Sequence, residues 1–252
     1  MSLEYEITGS GPAIVLVHGF CESKEVWRAI VPLLAENHTV IDLNLPGIGR
    51  SPALQEGFDL RQCAATIKAT LLEVGLKNCS VVGHSMGGYI GLELLKSDPN
   101  FLRSLTLFHS SVFSDTQAKI HTRQKTIKFI EKHGLQSFTQ SFVPNLFFDS
   151  ENASIDKVMQ MGNGIAADVV VGYANAMIAR DSSEKVVKLT SVPLHFIVGS
   201  EDPIIELDAA IQQSILPDFS CISILSNCGH MGMLEQPGQC VLKMLEFEVN
   251  LG

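Results

Sequence analysis

The chain of 252 residues is 46% hydrophobic and 18% charged, which supplies a large apolar core and excludes disorder as its main theme. Its 18 basic and 27 acidic residues leave a formal net charge of −9, so it lacks the basic footprint that nucleic acid or an anionic membrane requires. No stretch reaches the roughly 18 uninterrupted apolar residues of a membrane span, and Met1–Pro12 has neither a basic nor an apolar leader segment.

The six cysteines (Cys21, Cys63, Cys79, Cys221, Cys228 and Cys240) show no zinc-ligand spacing. With no export signal, the expectation is reduced thiols in a cytoplasmic protein, with no membrane insertion and no nucleic-acid partner.

Two β-like runs open the chain, Glu4–Ile7 and Ala13–Val17, separated by a Gly-Ser-Gly-Pro turn. The second is continuously apolar, as expected of a strand buried on both faces. A helix-like stretch over Val26–Leu34, a strand over Thr39–Leu43 and a Pro46–Gly49 loop follow. Asp59 is placed to cap a helix over Leu60–Val74, where Ala64, Ile67, Leu71 and Leu72 recur at helical spacing. Ser80–Val82 reads as a strand, Gly87–Lys96 as a helix and Leu105–Phe108 as a strand. This alternation indicates a mostly parallel, doubly wound α/β sheet.

From residue 113 to 189 the pattern turns helical: Gln117–His133, Ser137–Phe142, and Ile155–Ala179 with breaks near Gly162 and Gly164. A strand at Pro193–Val198, a helix at Asp208–Leu216, a strand at Cys221–Leu225 and a helix at Glu235–Val249 complete the chain. The expected organisation is a core domain of residues 1–112 and 190–252 with a helical cap, residues 113–189, inserted between two strands.

Gly83-His84-Ser85-Met86-Gly87 lies between a predicted strand and a predicted helix. A turn that sharp lifts the serine hydroxyl above the sheet and leaves no room for Cβ atoms at its two glycines. The following helix directs its first amide groups at the same place, where negative charge can develop. A serine needs a base and a group to orient that base. Two later strand ends supply them: Gly199-Ser200-Glu201-Asp202 and Asn227-Cys228-Gly229-His230. Ser85, Asp202 and His230 are therefore the candidate catalytic residues.

Asp115, beyond another strand end, is the geometrical alternative to Asp202, and Glu201 is expected to point elsewhere. Of the other histidines, His38, His121 and His133 fall in polar segments expected at the surface, and His195 lies inside a strand. His109 ends a strand and could line the pocket, but it precedes any candidate acid.

Four separated segments resemble the α/β-hydrolase superfamily, in its small esterase-like branch with a helical cap. They are Val17-His18-Gly19-Phe20, Asp42 to Ser51 with its Pro46-Gly47-Ile48-Gly49 core, Gly83 to Gly88, and Gly199 to Asp202 together with Gly229-His230. The resemblance implies the α/β-hydrolase fold over nearly the whole chain. It implies an oxyanion hole made by the backbone N–H groups of Phe20 and Met86, with His18 and Arg50 as scaffold. Haloalkane dehalogenases and epoxide hydrolases of this fold carry aspartate at the elbow, and dienelactone hydrolases cysteine, whereas position 85 is serine. Carbon–carbon hydrolases often carry Gly-Asn-Ser-Met-Gly-Gly, from which His84 departs.

The chemistry implied is acyl transfer from a small-molecule ester, which calls for neither metal nor organic cofactor. A carbon–carbon hydrolase or lyase with the same triad, and a slow-turnover ligand receptor, are the alternatives. Phe113, Phe142 and Met177 of the cap, with Met231 beside His230, are the apolar residues expected at the substrate. Lys119, Arg123, Lys125, Lys128 and Lys132 make the first cap helix basic. A solvated face accounts for them in the first instance, and attraction of an anionic substrate is the sharper reading.

Overall fold

A computed structural model describes residues 2–251; Met1 and Gly252, the outer limits of the expected core domain, lie outside the described residues. The core elements are strands β1 (Tyr5–Thr8), β2 (Ala13–Val17), β3 (Thr39–Leu43), β4 (Cys79–His84) and β5 (Leu102–Phe108), with helices α1 (Val31–Leu34), α2 (Leu60–Glu73) and α3 (Met86–Ser97). Between β5 and the next strand, where the sequence leads one to expect a cap, run helices α4 (Gln117–His133), α5 (Leu135–Phe142), α6 (Ile155–Asn163), α7 (Ala167–Ile178) and α8 (Glu184–Leu189). The chain returns through β6 (Leu194–Gly199), α9 (Leu207–Ser214), β7 (Ser220–Leu225), α10 (Gly232–Glu235) and α11 (Pro237–Val249).

The strands form one sheet in the order β1-β3-β2-β4-β5-β6-β7, antiparallel at β1 and parallel elsewhere. Alternation of side chains across the pleat explains the continuous apolar runs. Val15 and Val17 pack with α2 and α3 through Ile67, Leu71 and Ile90, while Ile14 and Leu16 pack with Trp27, Leu34 and Met244 on the opposite face.

The Asp59 cap forms as the sequence indicates. Gln62 N–H donates to Asp59 Oδ1 and Asp59 N–H to Gln62 Oε1, both at 2.9 Å. Such a capping box contributes roughly 1 kcal/mol.

Three local features differ from the sequence expectations. The stretch expected as one helix over Val26–Leu34 divides into a 3-10 turn, Lys24–Trp27, and α1. The last helix breaks before Pro237, whose ring is accommodated only at the start of a helix. His38 is buried, at 9% exposure, under the turn before β2.

The parallel strands bring their C-terminal ends to one side of the sheet, where loops can assemble a site. Helix α7 is tied there by Tyr173 Oη, which donates to the Pro46 carbonyl at 2.9 Å. Among the described residues, no helix is long and apolar enough to cross a membrane.

Candidate active site

The elbow follows β4 directly. Ser85 holds φ +49° and ψ −111°, a conformation unfavourable for any residue with a Cβ, and its N–H donates to the Phe108 carbonyl at 2.9 Å. A Cβ at position 83 would lie 2.4 Å from the Gly87 carbonyl oxygen, and one at position 87 would lie 2.3 Å from that of Val17. Only glycine permits a strand and helix to meet this closely. Met86 opens α3, so its amide is among the helix's unpaired N–H groups. Neither this amide nor that of Phe20, beyond the end of β2, donates to a group among the described residues.

Asp202 follows β6 and His230 follows β7. The Asp202 carboxylate lies 2.9 and 3.0 Å from His230 Nδ1. Its Oδ1 also accepts from the N–H groups of Ile204 and Ile205 at 2.8 and 2.9 Å. Burial alone pushes this carboxyl up, but the charge of His230 and the hydrogen bonds from His109 and His230 outweigh it. Asp202 is held well below the usual carboxylate range.

The His230 N–H donates to the Leu146 carbonyl at 2.7 Å, which anchors the histidine loop to the turn that follows α5. Ser85 and His230 line the same cavity, and no hydrogen bond joins their side chains. Such looseness is common before a substrate closes a site.

His109 is the residue whose position the sequence did not disclose. It ends β5 at φ +48°, is fully buried, and approaches Asp202 Oδ2 with Nδ1 at 2.8 Å. Burial drives its imidazole down to about 4, so it is neutral at pH 7, donates Nδ1–H to the carboxylate, and leaves Nε2 without a partner among the described residues. The signal was available in the strand order. β5 lies between β4 and β6, so the residue ending it falls between the serine and the acid. His109, Asp202 and His230 also bring their ligand atoms within 4.8 Å of one another. Both imidazoles turn Nδ1 to the carboxylate, so a cation there would have to displace both hydrogen bonds.

A second buried acid–histidine pair lies alongside. Glu22 accepts from Gly19 N–H at 2.7 Å and from His84 Nδ1 at 2.9 Å, while His84 Nε2 donates to the His230 carbonyl at 2.9 Å. Because a carbonyl only accepts, Nε2 must carry a proton. Burial opposes charge on both partners. Their mutual attraction outweighs it, lowering Glu22 and raising His84, which favours the ion pair. It links the loop after β2, the elbow and the His230 loop.

The remaining candidates fall into two groups. Asp115 is held between Arg123 Nε at 2.5 Å and Arg180 Nη2 at 3.0 Å, away from His230. Glu201 is exposed, as expected of a residue pointing elsewhere. His18 is buried and receives the Leu45 N–H on Nε2 at 3.1 Å, and Arg50 pairs with Glu4 at 2.9 Å. Both therefore join segments of the scaffold. Burial raises the Cys63 and Cys240 thiols to about 12, which leaves neither as a thiolate.

A cavity of about 260 Å³ opens over Ser85 and His230, walled by Phe20, Phe138, Phe142, Leu146 and Met177. Phe142 and Met177, two of the residues expected at the substrate, are on this wall. Phe113 and Met231 are not on it. The Phe113 carbonyl receives Arg180, and Met231 is fully buried beneath the histidine loop with Met233 and Met244.

A family model for the alpha/beta hydrolase fold matches residues 12–237. The chain belongs to that family. Over 97% of its length it is 23% identical to a pimeloyl-[acyl-carrier protein] methyl ester esterase of Pseudoalteromonas atlantica, covering 97% of that protein. It is also 23% identical to a soluble epoxide hydrolase of a Corynebacterium species, over 97% of this chain and 93% of that one. Its structure superposes on a thermophilic esterase from Thermogutta terrifontis, solved with malate bound, with a TM-score of 0.93 at 23% identity. That match covers 99% of this chain and 93% of the other. This α/β hydrolase therefore has esterases among its relatives.

Proposed function

We propose that this α/β hydrolase is a serine hydrolase cleaving carboxylic esters of small or medium apolar substrates through an acyl-enzyme. The observation that carries the reading is the Asp202-held imidazole of His230 on the same cavity as the strained Ser85. His230 Nε2 takes the Ser85 proton as Oγ attacks the ester carbonyl, and Asp202 fixes the tautomer and stabilises the imidazolium. The oxyanion is received by the free amides of Phe20 and Met86, each such donor contributing roughly 3 kcal/mol to lowering the barrier. His230 then protonates the leaving alcohol and activates the water that frees the acyl group. A serine at position 85 supports this route over the attack by aspartate that the epoxide-hydrolase relative's type of chemistry would use. The expected setting is cytoplasmic.

The test is a panel of p-nitrophenyl esters of increasing chain length, run beside Ser85→Ala. The expected result is turnover by the wild-type protein that falls by about 10⁴-fold or more in the variant. Equal rates for the two proteins would contradict the assignment of Ser85.

A further inference from the structure

The cavity has one wall unlike the rest. Lys119, Thr122, Arg123 and Thr126 recur at i, i+3, i+4 and i+7 on α4 and present a polar face to a space that, apart from Ser85, His230 and Glu22, is lined by aromatic and aliphatic groups. The charges behind this wall do not balance. Arg123 and Arg180 share the single carboxylate of Asp115. Arg180 lies over the Tyr89 ring at 3.9 Å, and its buried Nε has no acceptor among the described residues. Among the described residues, Lys119 Nζ meets only a neutral oxygen, the Ile204 carbonyl at 3.3 Å. Glu22, whose carboxylate is on the cavity wall, is committed to Gly19 N–H and His84.

Lys119 and Arg123 on the cavity, with Arg180 beside Arg123 on the same carboxylate, therefore stand as three cations against one acid, in a protein whose overall charge is −9. A substrate that fills the apolar part excludes water from Lys119 and Arg123. Their lost hydration is best offset by a negative group on the substrate itself.

From this surplus we propose that the cavity takes esters bearing a carboxylate remote from the scissile carbonyl and separated from it by a short methylene spacer. The spacer lies on Phe138, Phe142 and Met177, and the carboxylate reaches Lys119 and Arg123. The choice of esters rests on the function proposed above, but recognition of the anion does not.

Binding separates the two. Ser85→Ala protein, which cannot turn the ligands over, is titrated calorimetrically at low salt with monomethyl adipate against dimethyl adipate. The same is done with 4-acetoxybutyrate against its methyl ester, so that the anion is placed on the acyl or on the alcohol side. At least one anion is expected to bind about fivefold tighter than its neutral counterpart. That advantage should shrink in 0.5 M salt and in Lys119→Met, whose exposed position makes the substitution tolerable to the fold. In the wild-type protein, adipate should raise the melting temperature more than adipamide does. Equal or weaker binding of both anions would overturn the proposal, as would an advantage untouched by both Lys119→Met and salt. Loss of ester turnover in the wild-type protein, with the anion preference intact, would count against the esterase reading alone.

Discussion

Two acid–histidine pairs lie side by side at the C-terminal edge of the sheet, and they differ in what the second ring nitrogen does. In Asp202–His230 the carboxylate takes Nδ1, and Nε2 makes no hydrogen bond among the described residues. In Glu22–His84 the carboxylate takes Nδ1 and the His230 carbonyl takes Nε2, so both ring nitrogens are engaged, and the attraction of Glu22 favours the charged form. Proximity to a buried carboxylate is common to both. An imidazole can accept a proton only through a nitrogen with a free lone pair, so of the two rings only His230 keeps the nitrogen that the base proposed for Ser85 needs. His84, although adjacent to the serine in sequence, is confined to holding three loops together. His109 is a third case: its Nε2 is free but sealed in the core, with Gly232 leaving just enough room beside it.

The contrast can be broken by substitution, most severely at the first pair. His230→Ala should lower kcat for an ester substrate by about 10⁴-fold or more, and Asp202→Asn by a factor approaching that, because the tautomer of His230 is then no longer set. Steady-state kinetics with circular dichroism as a folding control checks both. An Asp115→Asn variant that lost more activity than Asp202→Asn would reverse the choice of acid.

Glu22→Gln should act first on stability, costing roughly 3–5 kcal/mol because it leaves His84 without its anionic partner in a buried place. The cost should depend on pH. His84, raised in the folded state, contributes fully below its ordinary 6.5 and loses its contribution as pH climbs through the raised value. Glu22, lowered in the folded state, contributes fully above its ordinary 4.5 and loses its contribution as pH falls through the lowered value. Urea unfolding of the two proteins across pH should therefore show the largest difference between about pH 4.5 and 6.5, narrowing at higher pH. A difference that grew with rising pH would mean the pair is not ionic.

His109→Leu removes one donor from Asp202 and should reduce kcat by about tenfold, with His109→Gln recovering part of the loss if its amide reaches the carboxylate. This is the smallest of the expected losses.

Much of this arrangement was legible in the sequence because it depends on local constraints. The two elbow glycines, the Asp59 cap and the apolar runs of β2 and β3 each follow from neighbours within a few residues. The strand ends carrying Asp202 and His230 could be counted off once the alternation was recognised. The order of strands in the sheet was not local, and His109 was judged by its place in the chain rather than between β4 and β6. Glu22 was passed over for a related reason, since its partner His84 lies on a different strand end. Phe113 and Met231 looked like cavity residues because they flank strand-end loops. That both side chains pack against the hydrophobic core instead is decided by packing that no spacing discloses.

The central claim is that Ser85 is activated by His230 and not by the neighbouring ion pair. Its most direct test is the labelling rate of a fluorophosphonate probe, with the adduct mapped by peptide mass spectrometry, in the wild-type, Glu22→Gln and His230→Ala proteins. The account predicts an adduct on Ser85 in the wild-type protein, slower labelling of the same residue in Glu22→Gln, and loss of labelling in His230→Ala. Labelling of Ser85 at an undiminished rate in His230→Ala, or an adduct on another residue, would contradict it.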